Sequence, residues 1–269
     1  MNETSYTKHR LAAMKPREFR QIVREGLFTG TTLNVCEGYV MANLAVVPKE
    51  YAFDFLLFCV NNPHSCPLLD VTQPGDPRPL KIAPDADLRT DLPKYRVFQH
   101  GELGDEPTDI VKYWRDDFVA FILGATGALH PLFEGANLRF RTTGVHKTNI
   151  ECGPSGPFRG QMLVTCRLFP STQEAVRAVQ ISSRYPGLHG APIHIGDPSV
   201  IGVDLQQTYS KLDPSARVAP PAPNEIALFW GCGVTPQSVA EDAKLPIFIS
   251  HKAGHMFFPD VLTEELAAI

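Results

Sequence analysis

A cysteine and two histidines near the C-terminus are side chains that could take part in nucleophilic or acid–base chemistry. Cys232 stands between two glycines and precedes Thr235-Pro236, while His251 and His255 follow an apolar run. Threonine followed by proline is typical of the first turn of a helix. A thiol at that position has a lowered pKa and can act as a nucleophile. Cys232 could equally be a small apolar side chain that fills the core.

The surrounding sequence predicts the elements that hold these three side chains. Residues 226–230 and 245–250 are apolar runs typical of buried strands, and residues 235–243 between them favour a helix. The carboxyl ends of parallel strands meet at one edge of a sheet, where ligands normally bind. We therefore expect the thiol and the two imidazoles to lie along one edge of a parallel sheet.

A second polar segment, residues 183–198, holds more reactive side chains than a connecting loop requires. It contains Arg184, His189, His194 and Asp197 together with three glycines. Glycine lets the backbone approach a ligand, and Asp197 lies at a tight turn. Each histidine alone would most simply be structural. The two of them, taken with the pair near the C-terminus, predict a functional site.

These four histidines and the acid could also hold a metal ion. The spacing of His251 and His255 places two ring nitrogens on one face if the segment is helical, but Ala253-Gly254 disfavours a helix, and the metalloprotease glutamate is missing. A divalent metal is therefore compatible with the sequence but not required, and we expect no cofactor. Phosphate-loop, dinucleotide, serine-hydrolase and haem motifs are absent from the sequence.

Composition and charge argue against a nucleic-acid partner. The chain has 269 residues, of which 43% are hydrophobic and 20% charged, as in an ordinary globular protein. Its net charge of −4 gives no basic face for a phosphate backbone.

The sequence also argues against a membrane location. The longest apolar run, residues 118–129, has about 12 residues and is too short to cross a bilayer. Residues 1–10 are polar and show no signal peptide, so we expect a cytoplasmic protein without a membrane partner. The six cysteines form no CxxC pair, so reduced thiols are expected.

Two further polar side chains are candidates for contact with a substrate. Asn43 lies within an apolar segment, where it is either a satisfied core amide or a donor to a substrate. Arg89 lies in the proline-rich and charged residues 83–95, and its guanidinium could hold a carboxylate through two hydrogen bonds. A salt bridge to Asp87 or Asp91 is the alternative for Arg89.

The order of predicted elements indicates an α/β fold with two units. Residues 117–123 favour a helix, residues 161–168 alternate like an antiparallel strand, and Ser171 with Glu174 forms a capping box before another helix. We predict a smaller α+β domain, residues 113–183, inserted into a larger α/β domain with a mixed sheet, residues 1–112 and 184–269. A cleft is expected between them.

Long segments, spread over nearly the whole chain, carry specific motifs. They are FTG (28–30), GYVMANLAVVPKEYAFDFLLFCVNNPHSCPLLDVTQPGDP (38–77), DLRTDLPKYRV (87–97), WRDDFVAFILG (114–124), TNIECGPSGPFRG (148–160), SRYPGLHGAPIHIGDP (183–198), FWGCGVTPQ (229–237) and SHKAGHMF (250–257). On these motifs the sequence resembles the hydro-lyase family that includes D-glutamate cyclase.

The resemblance implies a two-domain α/β fold and a dehydration in which an amino dicarboxylic acid such as D-glutamate closes to 5-oxo-D-proline. The partner would be a small carboxylate or amino-acid substrate, and a homo-oligomer is compatible with the sequence. Such a reaction needs proton transfer, oxyanion donors and a cation for the spectator carboxylate. The acid–base candidates are His189, His194, His251 and His255; the carboxylate candidates are Arg184 and Arg89; the hydrogen-bond donors are Thr148, Asn149 and Asn43; Asp197 is a further contact.

The sequence departs from the family pattern directly after residue 124. The family continues with a cysteine, serines, phenylalanines and a glutamate, whereas residues 125–130 read ATGALH and end in His130. Three hypotheses follow. The protein is a cyclase or dehydratase of a small acid; or it has the same fold with changed chemistry at His130, as a lyase or a lactam or amide hydrolase; or it binds a small acid without catalysis.

Overall fold

Six helices and ten strands form the computed structural model, which describes residues 7–209 and 221–268. The helices are α1 (Lys8–Ala12), α2 (Pro16–Arg24), α3 (Lys49–Asn61), α4 (His130–Gly135), α5 (Thr172–Ser182) and α6 (Thr235–Ala243). The strands are β1 (Ala42–Pro48), β2 (Leu68–Val71), β3 (Tyr95–Gln99), β4 (Glu102–Asp105), β5 (Phe118–Gly124), β6 (Arg141–Glu151), β7 (Gln161–Phe169), β8 (His194–Ile195), β9 (Ile226–Gly231) and β10 (Phe248–His251).

The first sheet has six strands in the order β2-β5-β1-β10-β3-β4. Strand β1 lies near its centre and is buried along its whole length. Successive side chains of a strand point to opposite faces, so Ala45 and Val47 join one apolar cluster while Leu44 and Val46 join another. Cover on both faces explains why the sequence of this strand is almost entirely apolar.

The second sheet has four strands in the order β6-β7-β9-β8. Val164, Cys166 and Leu168 of β7 point into a core that also contains Val47 and Phe121 of the first sheet. The two sheets therefore share one core between them. The alternate residues of β7 point to the opposite face, where the candidate site lies.

The predicted α/β character is confirmed, but the predicted strand pairing is wrong. Every pair of neighbouring strands among the described residues is antiparallel, so neither sheet is mixed or parallel. Strand β9 pairs with β7 and β8, whereas β10 pairs with β1 and β3. Helix α6 therefore connects two different sheets, and Cys232 does not share a sheet edge with His251 or His255. An apolar run predicts a buried strand but does not specify its partner.

Residues 118–124, predicted largely as a helix, form strand β5 instead. This strand lies between β1 and β2 of the first sheet, and β9 pairs with β7 of the second. Strand pairing therefore crosses both boundaries of the predicted insertion at residues 113–183. The existence of a separate domain there stays a prediction.

All six cysteines are free and buried, as expected from their spacing. In the part of the chain that the structure describes, no helix has the length and apolar character needed to span a membrane.

Candidate active site

A buried arginine without an acidic partner lies on β7. Only 2% of Arg167 is exposed. Its Nε donates to Nε2 of His130 (3.1 Å), one terminal nitrogen to the carbonyl of Thr126 (2.9 Å) and the other to Oγ1 of Thr165 (3.3 Å). Within residues 7–209 and 221–268, no aspartate or glutamate forms an ion pair with it. The guanidinium is thus a buried positive charge that lacks an anion.

The surroundings of Arg167 are aromatic rather than acidic. Its guanidinium lies 4.9 Å from the ring centroid of Trp230 and 6.0 Å from that of Phe133. Burial lowers the pKa of Arg167 to about 10, so the group is still protonated at neutral pH. A buried charge without a counterion is costly, although the two rings recover part of that cost. An anionic ligand would supply a counterion for the guanidinium.

His130 contacts Arg167 and is itself partly exposed. It begins α4 and borders two pockets, one of about 560 Å³ and one of about 30 Å³. Because its Nε2 accepts from Arg167, that nitrogen carries no proton. Burial and the charge of Arg167 lower the pKa of His130 to about 3. The imidazole is therefore neutral at physiological pH.

The end of β5 connects several of the candidate side chains. The carbonyl of Gly124 accepts from Nδ2 of Asn43 (2.7 Å) and lies 2.9 Å from Nε2 of His189. Nδ1 of His189 lies 2.7 Å from the carbonyl of His64. Burial lowers the pKa of His189 to about 4, although the two carbonyls oppose that shift. The side-chain nitrogen of Asn43 therefore has a hydrogen-bond partner within the core, as the first of the two interpretations of this residue states.

The predicted lowering of the Cys232 pKa is wrong. Burial raises the pKa of this thiol to about 11, although the N–H of Val234 and the charge of Arg167 act in the opposite direction. The side chain packs with Leu163 and Val234 in a small apolar cluster. Desolvation outweighs the helix N-terminus at this position, so the unliganded protein holds a thiol and not a thiolate.

Among the predicted catalytic residues, His130 contacts the guanidinium of Arg167 directly, and the charge of Arg167 acts to lower the pKa values of His130, His189 and Cys232. His194 lies elsewhere, on edge strand β8, with its Nε2 2.7 Å from the carbonyl of Asp197. The predicted cluster of four histidines is therefore divided.

His251 is the last residue of β10 in the first sheet, and His255 lies just beyond the turn that follows this strand. Nδ1 of His251 accepts from the N–H of Leu44 (3.2 Å), and Nδ1 of His255 lies 3.0 Å from the carbonyl of Ala253. Burial lowers the pKa of both, to about 4 in His251. Their neighbours are the paired charges Arg96, Glu106 and Lys252.

The predicted substrate contacts do not converge on one place, and several of them lie on the surface. Arg89 pairs with Asp87 through two hydrogen bonds of 2.9 and 2.7 Å, so the salt-bridge alternative describes it. Asp197 is exposed and accepts from the N–H of Ser199 (2.9 Å), and Arg184 is exposed as well. Their roles toward a substrate stay predictions.

Thr148 and Asn149 border a different pocket, of about 560 Å³, beside β6. The hydroxyl of Thr148 donates to the carbonyl of Met162 (2.8 Å) and accepts from the N–H of Ile150 (3.1 Å). Asn149 is exposed. Neither side chain shares a hydrogen bond with Arg167.

Sequence analysis missed Arg167 itself. The residue lies between apolar neighbours in an alternating strand, with Thr165 and Phe169 on its own face. A cation at such a position indicates a site only when it is known that other side chains bury this face of the strand. That cover comes from Trp230 and Phe133, which are distant in sequence.

No group of three or more histidine, cysteine, aspartate or glutamate side chains with metal-binding geometry occurs among residues 7–209 and 221–268.

The core histidines predict loss of stability in mild acid. The pKa values of His130, His189 and His251 are lowered from 6.5 to about 3, 4 and 4. The unfolded chain therefore binds protons that the folded protein excludes, and stability falls as pH drops from 6.5 toward 4. Each histidine contributes about 1.4 kcal/mol of unfolding free energy per pH unit.

Urea unfolding measured across this pH range gives the slope of unfolding free energy against pH. His251→Gln should reduce this slope by about 1.4 kcal/mol per pH unit, while His9→Gln, at an exposed position, should leave it unchanged. An unchanged slope in His251→Gln would contradict the assignment.

The sequence model of the D-glutamate cyclase family matches residues 119–260. A Bacillus subtilis protein named "Putative hydro-lyase YcsI" is 45% identical over 268 residues, covering 95% of this chain and 100% of that protein. A "Putative hydro-lyase" of Stutzerimonas stutzeri is 42% identical over 275 residues, covering 100% of both. Another, from Thermoanaerobacter sp. strain X514, is 46% identical over 260 residues, covering 94% of this chain and 96% of its own.

Among solved structures, a nitrogen repressor-like protein from Methanococcus jannaschii matches over 90% of this chain and 97% of its own. Its TM-score is 0.37 at 9% identity.

Proposed function

Since this chain belongs to the D-glutamate cyclase family, we propose that it is a hydro-lyase that removes water from a small amino or dicarboxylic acid. The specific reaction that we propose is closure of D-glutamate to 5-oxo-D-proline. Relatives across nearly the full length carry hydro-lyase names, which supports the reaction class.

The observation that carries the proposal is the buried guanidinium of Arg167. A guanidinium has five N–H groups, and three of them bond to described residues. The two that remain lie on the terminal nitrogens. A carboxylate is the anion that fits such a fork through two hydrogen bonds. Arg167 therefore supports a substrate with an acid group.

Ring closure requires few groups once the substrate is held. The amino nitrogen attacks the side-chain carboxyl carbon, a C–N bond forms, a C–O bond breaks, and the hydroxyl leaves as water with one added proton. The ammonium must first lose a proton to a base. Nucleophile and electrophile belong to one molecule, so holding the folded conformer supplies much of the rate.

His130 is our candidate for that base. Its pKa is low partly because the charge of Arg167 lies beside it. A carboxylate bound to Arg167 offsets that charge and competes for the N–H that His130 now accepts. Substrate binding would therefore raise the pKa of His130 and free its lone pair at the moment when a base is required.

A second candidate function also rests on Arg167 and its hydrogen-bond partners. Thr126 and His130 both accept hydrogen bonds from Arg167, and both belong to residues 125–130, which depart from the family pattern. The altered segment thus lies directly around the proposed carboxylate site. A related lyase step, or hydrolysis of a lactam or amide, is the alternative, as is binding of a small acid without turnover.

A panel of small acids tests the proposal. We expect D-glutamate to raise the melting temperature of the purified protein, because a ligand stabilises the state that binds it, and to be consumed. L-glutamate and glutarate are compared with their diamides, which carry no acid group and should give no shift. If none of the acids stabilises the fold and none is consumed, the proposed function is wrong. Stabilisation by D-glutamate without consumption would favour the binding-protein alternative, and loss of turnover of another acid in His130→Ala would favour changed chemistry.

A further inference from the structure

Two buried polar side chains near the carboxyl end of β9 have unpaired atoms. In the described part of the chain, Oε1 and Nε2 of Gln237 and Oγ of Ser65 are buried without a hydrogen-bond partner. Gln237 is 3% exposed and Ser65 is 0% exposed. Buried polar groups are nearly always hydrogen-bonded, and an unpaired group costs free energy. Three unpaired atoms in two side chains therefore call for a ligand.

Both side chains lie beside the junction of β9 and α6, residues 231–237. Gln237 is in the first turn of α6, and side chains of a helix lean toward its N-terminus. Ser65 lies against the other end of the junction, since a methyl group on Gly231 would contact its backbone nitrogen at 3.1 Å. The two residues with unpaired atoms thus lie beside the same strand-to-helix turn.

The backbone of this junction offers further donors. No carbonyl among the described residues accepts from the N–H of Gly233 or of Gln237, whereas the N–H of Thr235 donates to the carbonyl of Cys232 (2.9 Å). Pro236 has no N–H to satisfy. Free N–H groups and the positive end of the helix dipole favour an anion at a helix N-terminus. The unpaired amide of Gln237 is independent evidence for a ligand at the N-terminus of α6.

Cys232 connects this junction to the candidate active site. Its sulfur accepts from the N–H of Val234 at the start of α6 and also senses the charge of Arg167. A side chain on Gly233 would overlap the amide of Asn43, so glycine lets that amide approach the turn. Asn43 in turn donates to the carbonyl of Gly124 (2.7 Å), two residues before Thr126, whose carbonyl accepts from Arg167 (2.9 Å).

We infer that the β9–α6 junction receives a second acid group of the substrate through the amide of Gln237, the hydroxyl of Ser65 and the free N–H groups. The inference rests on the proposed role of Arg167 as receptor of the first acid group. Together the two receptors define the substrate class as a dicarboxylic acid. Gln237 is then a substrate-binding residue that sets this specificity.

Affinity for glutarate and for pentanoate tests the inference without requiring turnover. The two acids have the same chain length, but pentanoate lacks the second carboxylate. We expect the wild-type protein to bind glutarate about 10- to 100-fold more tightly in isothermal titration, as hydrogen bonds to a charged group would give. In Gln237→Leu this ratio should fall to about 3 or less, while pentanoate binding stays unchanged.

Two variants control the measurement. Gln180→Leu, at an exposed position on α5, should keep the wild-type ratio. If Gln237→Leu does not fold, Gln237→Glu serves instead, because its added negative charge should weaken glutarate binding more than pentanoate binding.

The outcomes separate the inference from the proposed function. If Gln237→Leu keeps the wild-type ratio of glutarate affinity to pentanoate affinity, or if it loses affinity for both acids equally, the role of Gln237 is overturned. The role of Arg167 is unaffected by either result. Failure of the wild-type protein to bind either acid would overturn both.

Discussion

Replacement of Arg167 by methionine should abolish binding and turnover of an acid substrate without loss of fold stability. In the unliganded protein this guanidinium is 2% exposed and pairs with no acid among the described residues. Its removal deletes an uncompensated charge, and replacing buried charges by apolar side chains is often neutral or stabilising. Binding of the substrate carboxylate would lose about 2–5 kcal/mol, which weakens the affinity by about 30- to 4,000-fold.

Arg20 supplies the matched control for this experiment. It is buried to the same degree, but it pairs with Asp260 at 2.8 Å and lies 3.8 Å from the fully buried carboxylate of Asp91. Arg20→Met should cost about 1.5–3 kcal/mol of unfolding free energy, because it removes the hydrogen bonds of the guanidinium to Asp260 and to the carbonyl of Phe258, while Asp91 keeps its ion pair with Arg24. It should spare activity per folded molecule. Urea unfolding and calorimetric titration with D-glutamate measure both effects. If Arg167→Met loses stability as Arg20→Met does and still binds the acid, then Arg167 is structural.

Substitution of Gly124 by alanine should destabilise the protein by about 3 kcal/mol or more, since overpacking of this kind displaces backbone. A methyl group at this position would overlap the carbonyl oxygen of Gly187. The same residue ends β5 and places its own carbonyl against Asn43 and His189. The strain should therefore reach the candidate site as well as the core.

Gly135→Ala is the control for that substitution. Gly135 ends α4, is exposed, and has no atom within 4 Å of the added methyl group. Alanine there should be neutral or stabilising by up to about 1 kcal/mol. Urea midpoints compare the two variants, and equal midpoints would show that the close approach of Gly124 to Gly187 is not maintained.

Much of the secondary structure follows from local sequence. The capping box is confirmed at α5, where the hydroxyl of Ser171 accepts from the N–H of Glu174 at 3.2 Å. The apolar run 118–123 was misjudged as a helix, because a continuous run has no period that distinguishes a buried strand from a buried helix. Strand partners could not be predicted for the same reason, since β9 and β10 both follow from apolar runs but belong to different sheets.

The candidate site was only partly predictable. Cys232, His189 and His130 carry recognisable chemistry, and the charge of Arg167 acts to lower the pKa of each of them. Arg167 itself is defined by what surrounds it, namely aromatic rings and no acid. The unpaired amide of Gln237 is likewise a property of packing. Neither can be read from residue type or spacing.

The most direct measurement of the central claim is a proton NMR time course of the purified wild-type protein with D-glutamate, run beside L-glutamate and beside Arg167→Met. The account predicts that 5-oxoproline accumulates from D-glutamate with the wild-type protein and that the Arg167→Met sample stays unchanged. A folded wild-type protein that forms no 5-oxoproline would contradict the proposed reaction. Equal product from Arg167→Met would contradict the role of the buried guanidinium.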